Sequence, residues 1–180
     1  SIKEKLYGFS SREGTNTYIT THLANRYTFT DEEQLVTPLP TEISWPWDSY
    51  EITDPYSVRG AKYLASRGLP LDVAASYGIR YWPTQRRVLF PVFVDGVLTG
   101  YQARAVYPTE WVDADGFSHS APKIVTSDGL DRANEVMFYD RLKGSKHVVL
   151  CEGPMDALKA HLCGGNVATM GKVVSRGQIN

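Results

Sequence analysis

The spacing of apolar positions changes along the chain, and each change marks a different kind of element. Residues 1–53 hold no sustained period: Thr-, Ser- and Tyr-rich stretches lead to Glu32-Glu33, then Thr37-Pro38-Leu39-Pro40-Thr41-Glu42 and Trp45-Pro46-Trp47. This predicts an irregular arm or linker with one short strand over 18–21. Trp45 and Trp47 are too apolar to stand in water, so the arm is expected to wrap the body. Order is expected from Thr53-Asp54-Pro55, with Asp54 as an N-cap and Pro55 at the first helical position. Val58, Ala61, Tyr63, Leu64 and Ala65 then form a helical face that Gly68 stops. A second short helix is predicted from Leu69-Pro70-Leu71-Asp72 through Val73, Ala74 and Tyr77, stopped by Gly78.

Beyond residue 86 the helical period gives way to β-branched and aromatic runs. Arg87-Val88-Leu89-Phe90-Pro91-Val92-Phe93-Val94 and Val97 to Ala105 flank Asp95-Gly96, the signature of a two-residue hairpin. Pro91 removes a ladder donor, so an edge or a bulge is expected there. A second hairpin or loop is expected around Asp115-Gly116, a strand over 122–126, and loop with a short helix over 130–138. The last forty residues read as a parallel, right-handed βαβ unit: a short buried strand over 146–151, a turn at Glu152-Gly153, a helix over 154–163 and a strand over 166–170. Met155, Leu158 and Leu162 mark the inner face of that helix. The fold class predicted is α/β, with an α+β subdomain of antiparallel hairpins over 54–145 before a parallel unit over 146–180.

Composition narrows the classes. Hydrophobic residues make up 42% and charged residues 22% of the 180, which excludes a disordered or collagenous chain. No apolar run approaches the ~20 residues of a membrane helix, and the first residues, Ser1-Ile2-Lys3-Glu4-Lys5, form no signal-peptide core. The first residue is not Met, which fits processing or a piece of a longer chain. The two cysteines, Cys151 and Cys163, cannot form a zinc ribbon, so no zinc is expected, and they read as reduced, buried thiols of a cytoplasmic protein. The net charge of −1 hides an asymmetry: residues 1–58 carry four basic against nine acidic side chains, and the remainder carries a balance of +4. A basic body permits phosphate binding.

Sites in parallel α/β units form at the carboxyl ends of strands. Glu152 ends a predicted strand, Asp156 lies one helical turn on, and Gly171-Lys172 ends the next strand beside them. Two carboxylates so placed suit Mg²⁺, which takes oxygen ligands and keeps several waters. On spacing alone the plainer reading comes first: a turn acid at Glu152, and a first-turn carboxylate at Asp156 facing the helix dipole.

Resemblance adds to this. Val148-Val149-Leu150-Cys151-Glu152-Gly153-Pro154-Met155-Asp156 resembles the first motif of a TOPRIM domain, and Val167-Ala168-Thr169-Met170-Gly171 the strand after it in DnaG-type bacterial and phage primases. Tyr63-Leu64-Ala65-Ser66-Arg67-Gly68-Leu69 and Tyr77-Gly78-Ile79-Arg80-Tyr81 are similar to the start of the primase RNA-polymerase domain. Arg87 to Val92, Gly100-Tyr101-Gln102-Ala103-Arg104, Pro122-Lys123-Ile124 and Met137-Phe138-Tyr139 follow in the same order. The colinear blocks span about residues 55–180.

The resemblance implies template-directed RNA primer synthesis on single-stranded DNA from ribonucleoside triphosphates, in the cytoplasm of a bacterial or phage-infected cell. It implies Mg²⁺ held by Glu152, with Asp156 the second acid, and phosphate contacts from Arg67, Arg104 and Lys123 on one groove face, with Lys172 a further nucleotide- or nucleic-acid-binding candidate beside the carboxylates. A surface ion pair is the alternative for each basic residue taken singly. The family places a basic residue just before its Leu-Tyr-Gly block; here Glu135 and Val136 stand there, and Arg132 fits with a slip. The family's Asp-x-Asp metal motif follows its second TOPRIM strand, and none follows Met170 in these 180 residues. Activity is therefore expected to need a complementing C-terminal TOPRIM segment, with a replicative helicase as the other candidate partner. The competing readings are a non-catalytic TOPRIM-like module that binds nucleic acid or docks a protein, and a relative of the TOPRIM nucleases.

Overall fold

The structure, a computed structural model, describes residues 40–142, 144–165, 175, 176 and 178. The chain divides into two units, Ser1–Pro38 and Leu39–Asn180, and all described residues belong to the second. The strand expected over 18–21 therefore lies outside the described residues, as does the one expected over 166–170.

Packing begins earlier than residue 54. The Ile43 amide donates to the Leu98 carbonyl at 2.8 Å, and Trp45 stacks on Tyr101 with ring centroids 5.8 Å apart. Asp48 accepts from the Trp82 indole at 2.6 Å and from Thr84, and Ile52 is fully buried. A two-residue strand, β1 (Tyr50–Glu51), closes this segment onto the sheet. Residues 43–52 are thus part of the body, which corrects the irregular reading for them. The wrapping role falls to Trp45 alone, because Trp47 is 92% exposed.

Asp54 caps as expected, accepting from the Tyr56 amide at 2.8 Å, and a 3₁₀ turn (Pro55–Ser57) feeds α1 (Val58–Ser66). Gly68 and Gly78 stop α1 and α2 (Leu71–Ser76) with φ of +77° and +69°, a region in which a Cβ would be strained. Gly60 has a different task. A Cβ there would fall 2.7 Å from the buried Tyr81 ring, so only glycine lets α1 come this close to the sheet.

The sheet runs β1-β2-β3-β4-β7, with every pairing antiparallel. Its members are β2 (Arg80–Trp82), β3 (Arg87–Val94), β4 (Val97–Ala105) and β7 (Ile124–Thr126). The Asp95-Gly96 turn forms as expected, and the register shifts between Val92 and Phe93, one residue from Pro91. Pairing with β2 reaches only to Leu89, so the proline costs no ladder bond on that side. Val88, Phe90 and Val92 share the inner face with Leu64, Ala74, Tyr77, Met137 and Phe138. The hairpin around Asp115-Gly116 also forms, as a separate ribbon of β5 (Glu110–Val112) and β6 (Ser118–Ser120).

The C-terminal reading needs correction. Residues 146–150 form no strand, and Val148, Val149 and Leu150 are about half exposed; only Cys151 makes a bridge. A strand of a parallel unit is buried by neighbours on both sides and both faces, and no described strand lies against this run. The helix does form, as α3 (Pro154–Leu162), with Met155, Ala157 and Leu158 buried while Leu162 is exposed. Cys163 is exposed rather than buried, because it caps the solvent end of α3; Cys151 is half-buried. No described helix is long and apolar enough to cross a membrane.

The Tyr81 hydroxyl is buried with no hydrogen-bond partner among the described residues, and burial pushes its pKa up. An unsatisfied buried hydroxyl costs about 1–3 kcal/mol. Tyr81→Phe is therefore expected to raise stability by about 1 kcal/mol in urea denaturation. Gly60→Val is expected to lower it by at least as much through overpacking on the same ring.

Candidate functional site

Directly paired residues of antiparallel strands face the same side, so the register fixes which side chains continue the inner face. Val88 pairs with Arg104 and Phe90 with Gln102; Arg104 in turn pairs with Ile124 and Gln102 with Thr126. The face that is apolar on β3 becomes polar on β4. Gln102, Arg104, Ile124 and Thr126 line a cleft of about 640 Å³ together with Glu152 and Asp156 from the turn into α3.

Arg132 lines it as well. Gly100 explains its approach: a Cβ on Gly100 would meet Leu130 at 2.2 Å, so the bare backbone lets the loop carrying Arg132 lie against the sheet. Main-chain and hydroxyl bonds between Tyr101 and Ser127, both 3.0 Å, hold the loop's start. Gln178 donates to the carbonyls of Arg132 and Glu135 at 3.1 and 3.0 Å, holding its end.

Arg104 is half-buried, and its Nε donates to the Tyr63 hydroxyl at 2.7 Å, which sets the guanidinium's direction without neutralising it. Glu152 and Asp156 are exposed, and among the described residues neither forms an ion pair. The cleft thus gathers two guanidiniums and two carboxylates round one open space. A phosphate chain suits the first pair and a hard cation the second. Among the described residues no third His, Cys, Asp or Glu joins Glu152 and Asp156 in a metal-binding group. Cys151 beside them has its pKa raised by burial and by the Asp156 charge, so the thiol stays protonated at neutral pH.

Of the six residues singled out from sequence, the structure brings Arg104, Glu152 and Asp156 together. Lys123 is not among them. The Ala105 amide donates to its carbonyl at 3.0 Å, one step out of phase with the Arg104–Ile124 pair, so Lys123 belongs to the opposite face. Arg67 is exposed at the C-cap of α1 and does not line the cleft. The expected single face for Arg67, Arg104 and Lys123 is thereby corrected. Lys172 lies outside the described residues. Gln102 and Thr126 were missed, although a polar residue two before Arg104 on an inward-facing strand position was the available signal.

No family model and no curated protein matches the sequence. Solved structures do match. The DnaG primase catalytic domain bound to single-stranded DNA aligns with a TM-score of 0.55 and 18% identity, over 72% of this chain and 51% of that one. The E. coli primase catalytic core gives 0.54 and 18%, over 72% and 53%. The RNA polymerase domain of Mycobacterium tuberculosis DnaG, in complex with double-stranded DNA carrying a 6-nucleotide overhang, gives 0.55 and 15%, over 72% and 52%. The chain has the fold of DnaG-type primase catalytic cores and spans about half the length of these structures.

Glu135, on the loop beside Arg132, accepts from the Thr99 hydroxyl at 2.7 Å. Burial raises its pKa, the Thr99 bond opposes that, and Asp131 adds to it. A carboxyl raised in the folded state contributes its stability fully below the ordinary Glu range and loses it as pH rises through the raised value. Glu135→Gln keeps an acceptor for Thr99 and removes the titration. Its stability relative to the parent is expected to grow between about pH 4 and pH 7, read by urea denaturation at both. A constant difference would show that Glu135 ionises as freely when folded as when unfolded.

Proposed function

We propose that this chain is the template- and metal-binding part of a primase-type RNA polymerase centre, acting on single-stranded DNA in replication. The observation that carries the reading is the cleft that brings Arg104 together with Glu152 and Asp156, residues from a sheet strand and a helix start about fifty positions apart in sequence. Carboxylates facing a polyphosphate repel it unless a cation stands between them. Guanidiniums are the donors that phosphate oxygens take best.

Two carboxylates with retained waters fit Mg²⁺, which is commonly held by one or two carboxylates together with substrate phosphates. Glu152 and Asp156 are the residues that hold it in this reading, and the ion supplies charge neutralisation of the triphosphate. Arg104 and Arg132 bind and orient phosphates of template or incoming ribonucleotide, while Gln102 and Thr126 offer neutral hydrogen bonds on the cleft floor. The single-stranded DNA named for one structural neighbour is the template class that suits this floor. Primer synthesis calls for further carboxylates beside Glu152 and Asp156, and a complementing TOPRIM segment is their source in this reading.

Labelled single-stranded DNA is expected to bind weakly, with log affinity falling against log salt by roughly 0.7 per phosphate neutralised. Arg104→Ala should weaken binding about five- to tenfold and flatten the slope by about one contact. Lys123→Ala, on the other face, should stay within about twofold. Glu152→Gln should abolish the Mg²⁺-dependent part of nucleoside triphosphate binding while leaving DNA binding in place. Salt-independent binding, or an Arg104→Ala variant that binds like the parent, would sink the assignment.

A further inference from the structure

The same face of α1 that carries Tyr63 also carries Arg59, Lys62 and Ser66, spaced three and four apart along the helix. With Arg86 and Tyr107 they line a second depression of about 390 Å³, separate from the cleft, in which no acidic residue takes part among the described residues. Among the described residues, Arg59 and Lys62 have no ion-pair or hydrogen-bond partner for their side chains. Like charges gathered without a counter-charge repel one another and are retained only against some other gain.

Arg86 is the most constrained of the three. Its φ is +50°, a left-handed conformation that a non-glycine residue adopts at a cost of roughly 1 kcal/mol. Its amide donates to the Pro83 carbonyl at 3.0 Å, and its carbonyl accepts from the Val106 amide at 3.1 Å. Its guanidinium lies over the Tyr107 ring, 4.5 Å from the centroid. The turn between β2 and β3 thus holds a charged side chain against an aromatic wall of the depression. A glycine or asparagine would fit that backbone more easily.

The two basins share one wall. Tyr63 lines the depression, while its hydroxyl accepts from the Nε of Arg104, which lines the cleft. Cations interleaved with tyrosines are the surface that a flexible single strand takes, backbone on the charges and bases against the rings. We propose that Arg59, Lys62 and Arg86 form a second phosphate site for the sugar–phosphate backbone of a single strand that continues out of the Arg104 cleft over α1. This rests on the reading of that cleft as a nucleic-acid site.

The test is fluorescence anisotropy of the full chain with labelled oligothymidylates of about four and about twenty nucleotides, the short one filling one basin only. Arg59 and Lys62 are exposed, so R59A/K62A removes charge without touching the core. This variant is expected to weaken the long strand about tenfold, to flatten its salt slope by roughly 1.4, and to leave the short strand within about twofold. The charge-preserving R59K/K62R is expected to bind the long strand like the parent. Unchanged long-strand binding in R59A/K62A, with R104A still weakening both strands, would overturn the second site and leave the cleft standing. If R104A changes neither strand, the cleft reading fails and the path over α1 fails with it. Loss of ATP binding in R59A/K62A with strand binding intact would assign the cations to free nucleotide and overturn the backbone site.

Discussion

One buried charge organises the sheet. Arg87 is 6% exposed and, among the described residues, has no carboxylate partner. Its guanidinium instead donates to main-chain carbonyls: Ala103 at 3.1 Å, Pro122 at 2.8 Å and Lys123 at 3.5 Å. A buried ion left unsatisfied costs several kcal/mol, so these carbonyls cannot drift from the guanidinium. They belong to the neighbouring strand and to the segment leading into the outermost one. One side chain from β3 therefore fixes where β7 begins, and with it the parity that puts Ile124 and Thr126 on the cleft floor. A lysine, with its point charge, could not reach three carbonyls spread over two segments.

The second constraint is what the inner face gives up. Val88, Phe90 and Val92 would ordinarily be matched by apolar partners on β4, yet their partners are Arg104, Gln102 and Gly100. Burial that could have been continuous stops at the middle of the sheet, and an open polar floor takes its place. Gly100 trades side-chain packing for the close approach of Leu130, which carries the Arg132 loop inward. The same economy operates at Gly60, where a missing Cβ brings α1 onto Tyr81. Both glycines give up local stability to place cations.

These particulars decide what the sequence made legible. Asp95-Gly96 announced the central hairpin because the turn chemistry is local and its backbone demand is met by few residues. Asp54, Gly68 and Gly78 marked helix ends for the same reason. The strands β1 and β2 were not legible, since two and three residues carry no period. Lys123 was misplaced because its face depends on a register set across strands by Arg87, a contact between positions 36 apart in sequence. Residues 148–150 read as a buried strand from hydropathy alone, but hydropathy does not say whether neighbours are present to bury them. The cleft residues split the same way: Arg104, Glu152 and Asp156 stood in recognisable blocks, whereas the inward side of Gln102 and Thr126 acquires meaning only through pairing, and Arg132, a candidate from sequence only with a slip, through the approach of its loop at Gly100.

Arg104 stands at the meeting of these constraints. β4 gives it an inward position, Tyr63 gives it a direction, and the absence of an ion pair among the described residues leaves its charge available. A carboxylate in place of the Tyr63 hydroxyl would hold the guanidinium equally well and cancel its field in the cleft. A neutral acceptor positions without neutralising, and it costs less desolvation than a second buried ion. The bond also couples the helix that carries Arg59 and Lys62 to the strand that floors the cleft. A shift of α1 along the sheet would move both groups of cations together, so the spacing between them is a property of the fold rather than of two independent side chains.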